Sequence, residues 1–407
     1  MLKQKSISAQ KSSDCRLSRR RFLELSTQWA TVTLLGCSAL PAKETKESVT
    51  IVNVDSEKKG TVDLATKIGQ MLIIGFRGLE IDFNDIIAQD IRDRHIGGVV
   101  LFDYDTIQRN PKRNITSPTQ VRKLIAQLQS FARIPLLVTV DYEGGKVNRL
   151  KEKFGFPATV SHHYLGQRDD LALTAKYATG MAQTLANLGF NLNLAPVVDL
   201  NIEPNNPIIG KLERSFSADP MRVTRHALEF IKAHHAQGIH CALKHFPGHG
   251  SSKQDSHLGL TDVTRSWSHR ELEPYRRLIQ AGQVDTIVTA HVFNANLDAT
   301  YPATLSKPTI TGLLRGELGY NGVVISDDMQ MRAIASHYGL ETAVQKAIEA
   351  GVDMIIAGNN IGFFEPDIAS QIVTIIQRLV SKGVISESRI DESYQRIQNL
   401  KRNLRRL

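Results

Sequence analysis

The chain is poor in cysteine. It has three in 407 residues, Cys15, Cys37 and Cys241, and no CxxC pair. A disulfide framework and a cysteine-built zinc site are therefore not indicated. Cys241 stands inside an apolar run and is expected to be a small core residue. Nucleotide signatures are missing as well. No GxGxxG follows the first apolar run and there is no P-loop, so neither dinucleotide nor nucleotide binding is signalled. No HExxH-type spacing occurs among the histidines, and the expectation is no metal and no cofactor.

Excess positive charge is present but unevenly placed. The net charge is +9, and residues 1–36 carry +5 of it, from seven basic and two acidic side chains. The remaining +4 makes a weak case for a nucleic-acid partner. The basic stretch 396–406 reads as the solvated face of a terminal helix.

The N-terminal charge has its own explanation. Ser18-Arg19-Arg20-Arg21-Phe22-Leu23 resembles a twin-arginine export signal. A weakly apolar stretch at 25–35 follows, too short to span a bilayer as a helix. It runs into Leu34-Leu35-Gly36-Cys37, which resembles a lipobox, whose cysteine becomes the lipidated first residue of the mature protein. Residues 1–37 are thus expected to be an export signal and 38–60, polar and low in apolar residues, a flexible tether. Membrane contact is expected only through the lipid anchor, on the periplasmic or cell-surface side.

From residue 61 short apolar runs alternate with helix-period segments. The runs are 68–76, 96–102, 135–141, 190–199, 239–245, 285–291, 322–327 and 353–357. Helical patterns fall between them, and two more, 366–381 and 387–407, close the chain. Eight near-continuous apolar strands, each followed by a helix, predict an α/β fold with a parallel sheet covered on both faces. The repeat number favours a closed (β/α)8 barrel in a single domain over 61–407.

In such a barrel the active site forms at the C-terminal ends of the strands. Here those ends carry Asp141-Tyr142-Glu143, Asp199, Lys244-His245, His291 and Ser326-Asp327-Asp328, whereas the strand starts show no such enrichment. After the fifth run, Lys244-His245-Phe246-Pro247-Gly248-His249-Gly250 leads to Asp255-Ser256-His257. His249, between two glycines, is expected to shape the loop. His234 and His235 are expected at the surface of a helix, and His162 and His163 in a loop without an assigned role.

These motifs, with Gly144-Gly145-Lys146-Val147-Asn148-Arg149, Ala195-Pro196 and Glu213-Arg214-Ser215-Phe216, resemble glycoside hydrolase family 3. More narrowly they look like its single-domain branch of β-N-acetylhexosaminidases, over nearly all of 61–407. The resemblance implies Asp327 as nucleophile, His257 as general acid/base and Asp255 as the residue that orients it. It also implies that Asp141, Arg149, Arg214, Lys244 and His245 bind the hydroxyls and N-acetyl group of a terminal sugar. Family members with a second domain can take the acid/base from it, and this chain is expected to rely on the Asp255/His257 loop instead.

Elementary chemistry agrees. Retaining glycoside hydrolysis needs a carboxylate nucleophile and a group that first donates and then accepts a proton. A histidine can do the second task because its ordinary pKa, about 6.5, lies near working pH. A neighbouring aspartate favours its protonated form. Asp328 is also acidic, so the choice of Asp327 as nucleophile rests on the resemblance, with which the better positioning of a residue held by the strand end agrees. The reaction that the resemblance implies is exo-acting removal of N-acetylglucosamine from peptidoglycan or chitin-type fragments. Phosphorolysis is an alternative, because histidine repels phosphate less than a carboxylate does. A β-glucosidase or xylosidase of the same family is another.

Overall fold

The computed structural model describes residues 62–255, 259–402 and 404. The export-signal and tether assignments, with Cys15 and Cys37, lie outside the described residues, as does His257.

Among the described residues eight parallel strands close into a barrel: β1 (Leu72–Gly75), β2 (Gly98–Val100), β3 (Leu137–Val140), β4 (Leu192–Asn193), β5 (His240–Phe246), β6 (Thr286–Thr289), β7 (Val323–Asp328) and β8 (Met354–Ala357). Each pairs with its sequence neighbours, and β1 pairs with β8 to complete the ring. The strands are buried throughout except at a few end positions, which is why they read as unbroken Ile, Val and Leu runs. Cys241 is among the buried residues, 1% exposed.

Helices, among them α2 (Ile86–Asp93), α7 (Glu273–Gln280) and α9 (Ile368–Ser381), cover the outside, and their starts are written locally. Ser117 caps α3 (Pro118–Ser130) through the Gln120 N–H, with proline at the first helical position. Asp170 caps α5 (Leu171–Leu188), which stops at Gly189 in the left-handed region, φ 96°. Asp219 caps α6 (Pro220–His235) in the same way as Asp170.

Two of the strands are irregular near their C-terminal ends. The β5–β6 register shifts between Leu243 and Phe246, and the β7–β8 register shifts between Ile325 and Asp328. Both shifts fall where Lys244-His245 and Ser326-Asp327 stand. Irregularities of this kind re-aim side chains and recur beside active sites.

Several expectations need correction. The first apolar run is not all strand, since its residues 68–70 belong to α1 (Leu64–Gln70), started by Asp63 accepting from the Thr66 N–H. A short buried helix and a buried strand have the same apolar signature. α8 (Arg332–Ala350) is two helical stretches, 332–338 and 340–350, parted by a break at Gly339, φ 68°, so the helix before β8 starts at 340 as expected and a further helical stretch precedes it. The basic C-terminal stretch is not simply solvated. In α10 (Glu387–Lys401) Lys401 is 5% exposed, and its Nζ donates to Gln70 Oε1 at 2.8 Å and Gly97 O at 2.7 Å. Arg396 reaches buried Asp353 at 3.0 Å, where Arg315 and Arg389 also meet. The last helix is thereby bolted to the lower face of the barrel.

His234 is not at the surface. It is fully buried, stacked on Phe230 at 4.1 Å between ring centres, and its ring nitrogens meet Phe230 O at 2.9 Å and Asn193 Nδ2 at 3.1 Å. His235 is half-buried against Asp285 at 2.6 Å. His162 does not lie in a loop but opens α4 (His162–Arg168), buried and stacked on Phe216. The i, i+4 helical face that turns toward the sheet takes His234 inward, and its polar nitrogens are satisfied there.

Burial pushes the His234 pKa down to about 4. Between about pH 6.5 and 4 the unfolded chain binds a proton at this position and the folded chain does not. Stability from His234 is therefore full above pH 6.5 and is lost as pH falls toward 4. A His234→Gln variant should be less stable than the parent by roughly 1–2 kcal/mol at pH 7.5. The gap should close as pH is lowered to 4.5. Urea denaturation of both proteins across that range checks this.

Candidate active site

The site is built where β3, β4, β5 and β7 end. Beyond β3 the chain forms a tight hairpin, Tyr142–Gly144 against Val147–Asn148. Its turn uses Gly144 at φ 93°, where a Cβ would stand 2.3 Å from Val160 O. Asp141 and Glu143 are two apart in extended chain and so share a face. Both meet the same ammonium: Lys244 Nζ lies 2.8 Å from Asp141 Oδ1 and 2.6 Å from Glu143 Oε1.

The contacts continue on both sides. Arg149 Nη2 reaches Asp141 Oδ2 at 3.2 Å. Arg214 makes a two-pronged pair with Glu143, Nε to Oε2 and Nη2 to Oε1, each 2.8 Å. Its Nη2 also lies 3.1 Å from His245 Nε2. His245 Nδ1 lies 2.6 Å from Asp199 Oδ2, while Asp199 Oδ1 accepts the backbone N–H groups of His245 and His249. One network thus joins Arg149, Asp141, Lys244, Glu143, Arg214, His245 and Asp199. Of the eight residues assigned a role from sequence, Asp141, Arg149, Arg214, Lys244 and His245 are brought together by it.

Electrostatics follow from burial and pairing. Burial alone would raise the Asp141 pKa, but Lys244 and Arg149 outweigh it and hold the carboxyl well below its usual range. Glu143, also opposed by burial, is brought down to about 2 by Arg214 and Lys244. Arg214 is buried yet raised, because Glu143, Asp141 and Asp199 surround it. Asp199 is lowered by His245 and His249 against its burial. An ionised Asp199 accepts the Nδ1–H hydrogen bond, which leaves His245 Nε2 to accept from Arg214.

A cleft of about 320 Å³ opens on this network. Asp141, Arg149, Arg214, Lys244 and His245 border it, and Asp327 and Asp328 border it too. The two aspartates differ. Asp328 is 7% exposed, and its Oδ1 accepts the N–H groups of Gln330 at 3.0 Å and Gly358 at 3.1 Å. A Cβ at 358 would come within 2.4 Å of Asp328 Oδ2, so the β8 loop closes tightly on that carboxylate. Asp327 is half-buried and accepts the Asp328 N–H on Oδ1.

Asp255 is described and half-buried, in the stretch between β5 and Thr261, but it does not border the cleft. Its expected partner His257 lies outside the described residues. His249 does not border the cleft either. It is 1% exposed, its Nδ1 lies 2.8 Å from Ser252 Oγ, and burial followed by the nearby His245 pushes its pKa down to about 4. His291 is buried, with Nε2 at 3.0 Å from Asp328 O and Nδ1 at 2.8 Å from Thr304 Oγ1.

Sequence reasoning missed the roles of Glu143 and Asp199. Both stood in the quoted motifs, and the signal for Glu143 was its two-residue spacing from Asp141. The apolar cleft lining, including Phe102, Ile208, Met331 and Ile361, was also missed. Phe102 closes the second apolar run, whereas Ile208, Met331 and Ile361 come from stretches whose sequence carries no periodic mark.

A closed parallel barrel with ion-paired carboxylates and cations around a cleft at its strand ends is the architecture of a barrel enzyme. The chain matches the glycosyl hydrolase family 3 N terminal domain over residues 63–400, and it belongs to that family. It is a glycoside hydrolase with hexosaminidase relatives. A β-hexosaminidase of Tolumonas auensis is 37% identical over 294 residues, covering 71% of this chain and 83% of that protein. β-Hexosaminidase A of Pseudoalteromonas piscicida is 37% identical over 279 residues, 64% of this chain and only 45% of the relative. Among solved structures, a family 3 β-N-acetylglucosaminidase from Paenibacillus superposes with a TM-score of 0.76 at 36% identity. That match covers 84% of this chain and 62% of the other, so the chain spans less than two thirds of it. A β-N-acetylhexosaminidase from Beutenbergia cavernae gives 0.73 at 27% identity, with 84% and 98% coverage.

Glu143 tests the network. Glu143→Gln keeps the shape but removes the charge that neutralises Arg214 and Lys244. It should raise the KM for a terminal-sugar substrate at least tenfold, while the loss of a buried charge pair lowers stability by about 3 kcal/mol. Steady-state kinetics and a denaturation curve on the same preparation check both.

Proposed function

We propose that the chain is an exo-acting, retaining β-N-acetylglucosaminidase that removes terminal N-acetylglucosamine from peptidoglycan or chitin-type fragments. The observation that carries this reading is the gathering of Asp141, Arg149, Arg214, Lys244 and His245 on one cleft with Asp327, in a chain whose relatives are hexosaminidases. The sugar is bound by groups whose own charges are already balanced, so they present donors and acceptors to hydroxyl and N-acetyl groups without reorganising.

In the proposed reaction Asp327 attacks the anomeric carbon. The bond to the leaving oxygen breaks as that oxygen takes a proton from His257, and a glycosyl-Asp327 ester forms. Water then gives its proton to His257 and attacks the same carbon, which releases the sugar and regenerates the carboxylate. Asp255 orients the imidazole and favours its protonated form.

We also infer that residues 1–37 direct export and that Cys37 carries a lipid, so that the barrel works outside the cytoplasm on the end of the 38–60 tether. The support is the order and spacing of Arg19-Arg20-Arg21 and Leu34-Leu35-Gly36-Cys37 in the sequence.

The nitrophenyl β-N-acetylglucosaminide should be cleaved at least about a hundredfold faster than the matching glucoside and xyloside, with no phosphate required. A strict phosphate requirement with a sugar 1-phosphate product would make the protein a phosphorylase instead. Asp327→Ala should lower kcat by about a thousandfold or more with KM within a few-fold. Cys37→Ser, expressed from the full chain, should move the protein from the membrane pellet to the soluble fraction; an unchanged pellet fraction removes the anchor.

A further inference from the structure

Glu271 is a buried carboxyl that the reaction above does not use. It lies in the 3-10 turn His269–Leu272 and is 1% exposed. Its Oε2 accepts the Gly250 N–H at 3.0 Å. The chain passes directly over it, because a Cβ at Gly248, φ 125°, would stand 2.6 Å from Glu271 Cβ.

Other elements grip the same few residues. Asn206 Nδ2 donates to His249 O at 2.8 Å and to Ser252 Oγ at 3.0 Å. The Glu203 N–H donates to Gly250 O at 3.1 Å, and a Cβ at Gly250 would lie 1.7 Å from Leu200 O. Asp199, which orients His245, also holds the His249 N–H. The backbone of 248–252 is therefore clamped on two sides, between the loop after β4 and the turn bearing Glu271. Asp255 comes three residues after the clamp. Downstream the chain is tied again, where Thr261–Asp262 pairs with Val292–Phe293.

We propose that Glu271 is a positioning residue for proton transfer: by holding the backbone at Gly250 it sets the direction in which the chain leaves β5 toward Asp255 and His257. The inference rests on the reading of that pair as acid/base. A proton donor must come within hydrogen-bond reach of the leaving oxygen, and a displacement of about 1 Å can cost on the order of a hundredfold. A loop taking off from a fixed base meets that demand far better than one taking off from a free one. Glu271 acts as a neutral acceptor in this role. Burial, followed by the facing carboxylate of Asp199, pushes its pKa up to about 8, and Tyr275 is the other titratable group beside it. A carboxamide should therefore serve as well as the carboxyl.

Assistance by a general acid matters most when the leaving group is poor. The test compares kcat/KM for phenyl and dinitrophenyl β-N-acetylglucosaminides in the full chain, with N-acetylglucosamine inhibition as an independent measure of sugar binding. Glu271→Leu should lower kcat/KM about 10- to 100-fold on the phenyl substrate and less than about threefold on the dinitrophenyl one, with inhibition unchanged within about threefold. Glu271→Gln should stay within about threefold of the parent on both. Equal losses on both substrates, no loss, or a Gln variant as poor as the Leu variant would overturn the proposal. Should Glu271→Leu fail to fold, Ser252→Ala, which loosens the opposite side of the clamp, carries the same expected split. His257→Ala separates the layers. A flat response there removes the acid/base reading and this inference with it, whereas a split there but not at Glu271 removes only the inference.

Discussion

The site depends on one constraint: charges taken out of water must be balanced at close range. Glu143 answers most of it. Its two oxygens take both prongs of Arg214 and the ammonium of Lys244, all within 2.8 Å. Without that carboxylate Arg214 would lose its two-pronged ion pair beside Lys244, which Asp141 alone would then balance, a state costing several kcal/mol. With it, Arg214 and Lys244 are fixed in place and still border the cleft. The same logic pairs Asp141 with Lys244 and Arg149, and His245 with Asp199. The binding face is thus preorganised, because the interactions that make burial tolerable also set its geometry.

The barrel supplies the convergence. The strands that end at the site are held parallel by their neighbours, so residues far apart in sequence arrive on one rim. The register shifts in β5 and β7 fall where Lys244-His245 and Ser326-Asp327 stand. A regular strand alternates its side chains strictly between faces. The irregular ends relax that alternation where consecutive residues have different tasks. Asp327 and Asp328 both border the cleft, and Asp328 also ties β7 to the β8 loop through Gly358. The opposite end of the barrel is treated differently. There Asp353 gathers three arginines, and Lys401 caps the Gly97 carbonyl, which joins the last helix to the lower rim.

What was hard to read from the chain has a common cause. His234, Lys401 and the α1 residues 68–70 were each judged by residue type or local pattern, and each was decided by packing. A histidine or lysine is buried when the tertiary structure offers partners for its nitrogens, and those partners, Asn193 for His234 and Gln70 with Gly97 for Lys401, are distant in sequence. Glu143 was overlooked for the same reason, since its worth lies in Arg214, 71 residues away.

The amino-acid sequence by itself determined the repeating strand and helix order, the closed α/β barrel and the strand ends as the place of the site, which are consequences of hydrophobic period and of breakers and caps. The five polar residues that border the cleft were named by the resemblance of the chain's motifs to glycoside hydrolase family 3. Only the tertiary structure decided which charges neutralise one another. It also decided that the Asp328 carboxylate ties β7 to the β8 loop through the Gly358 N–H, and that Glu271 lies beneath the loop leaving β5. Those outcomes rest on distances of about 3 Å between residues tens of positions apart, and a linear pattern carries no record of them.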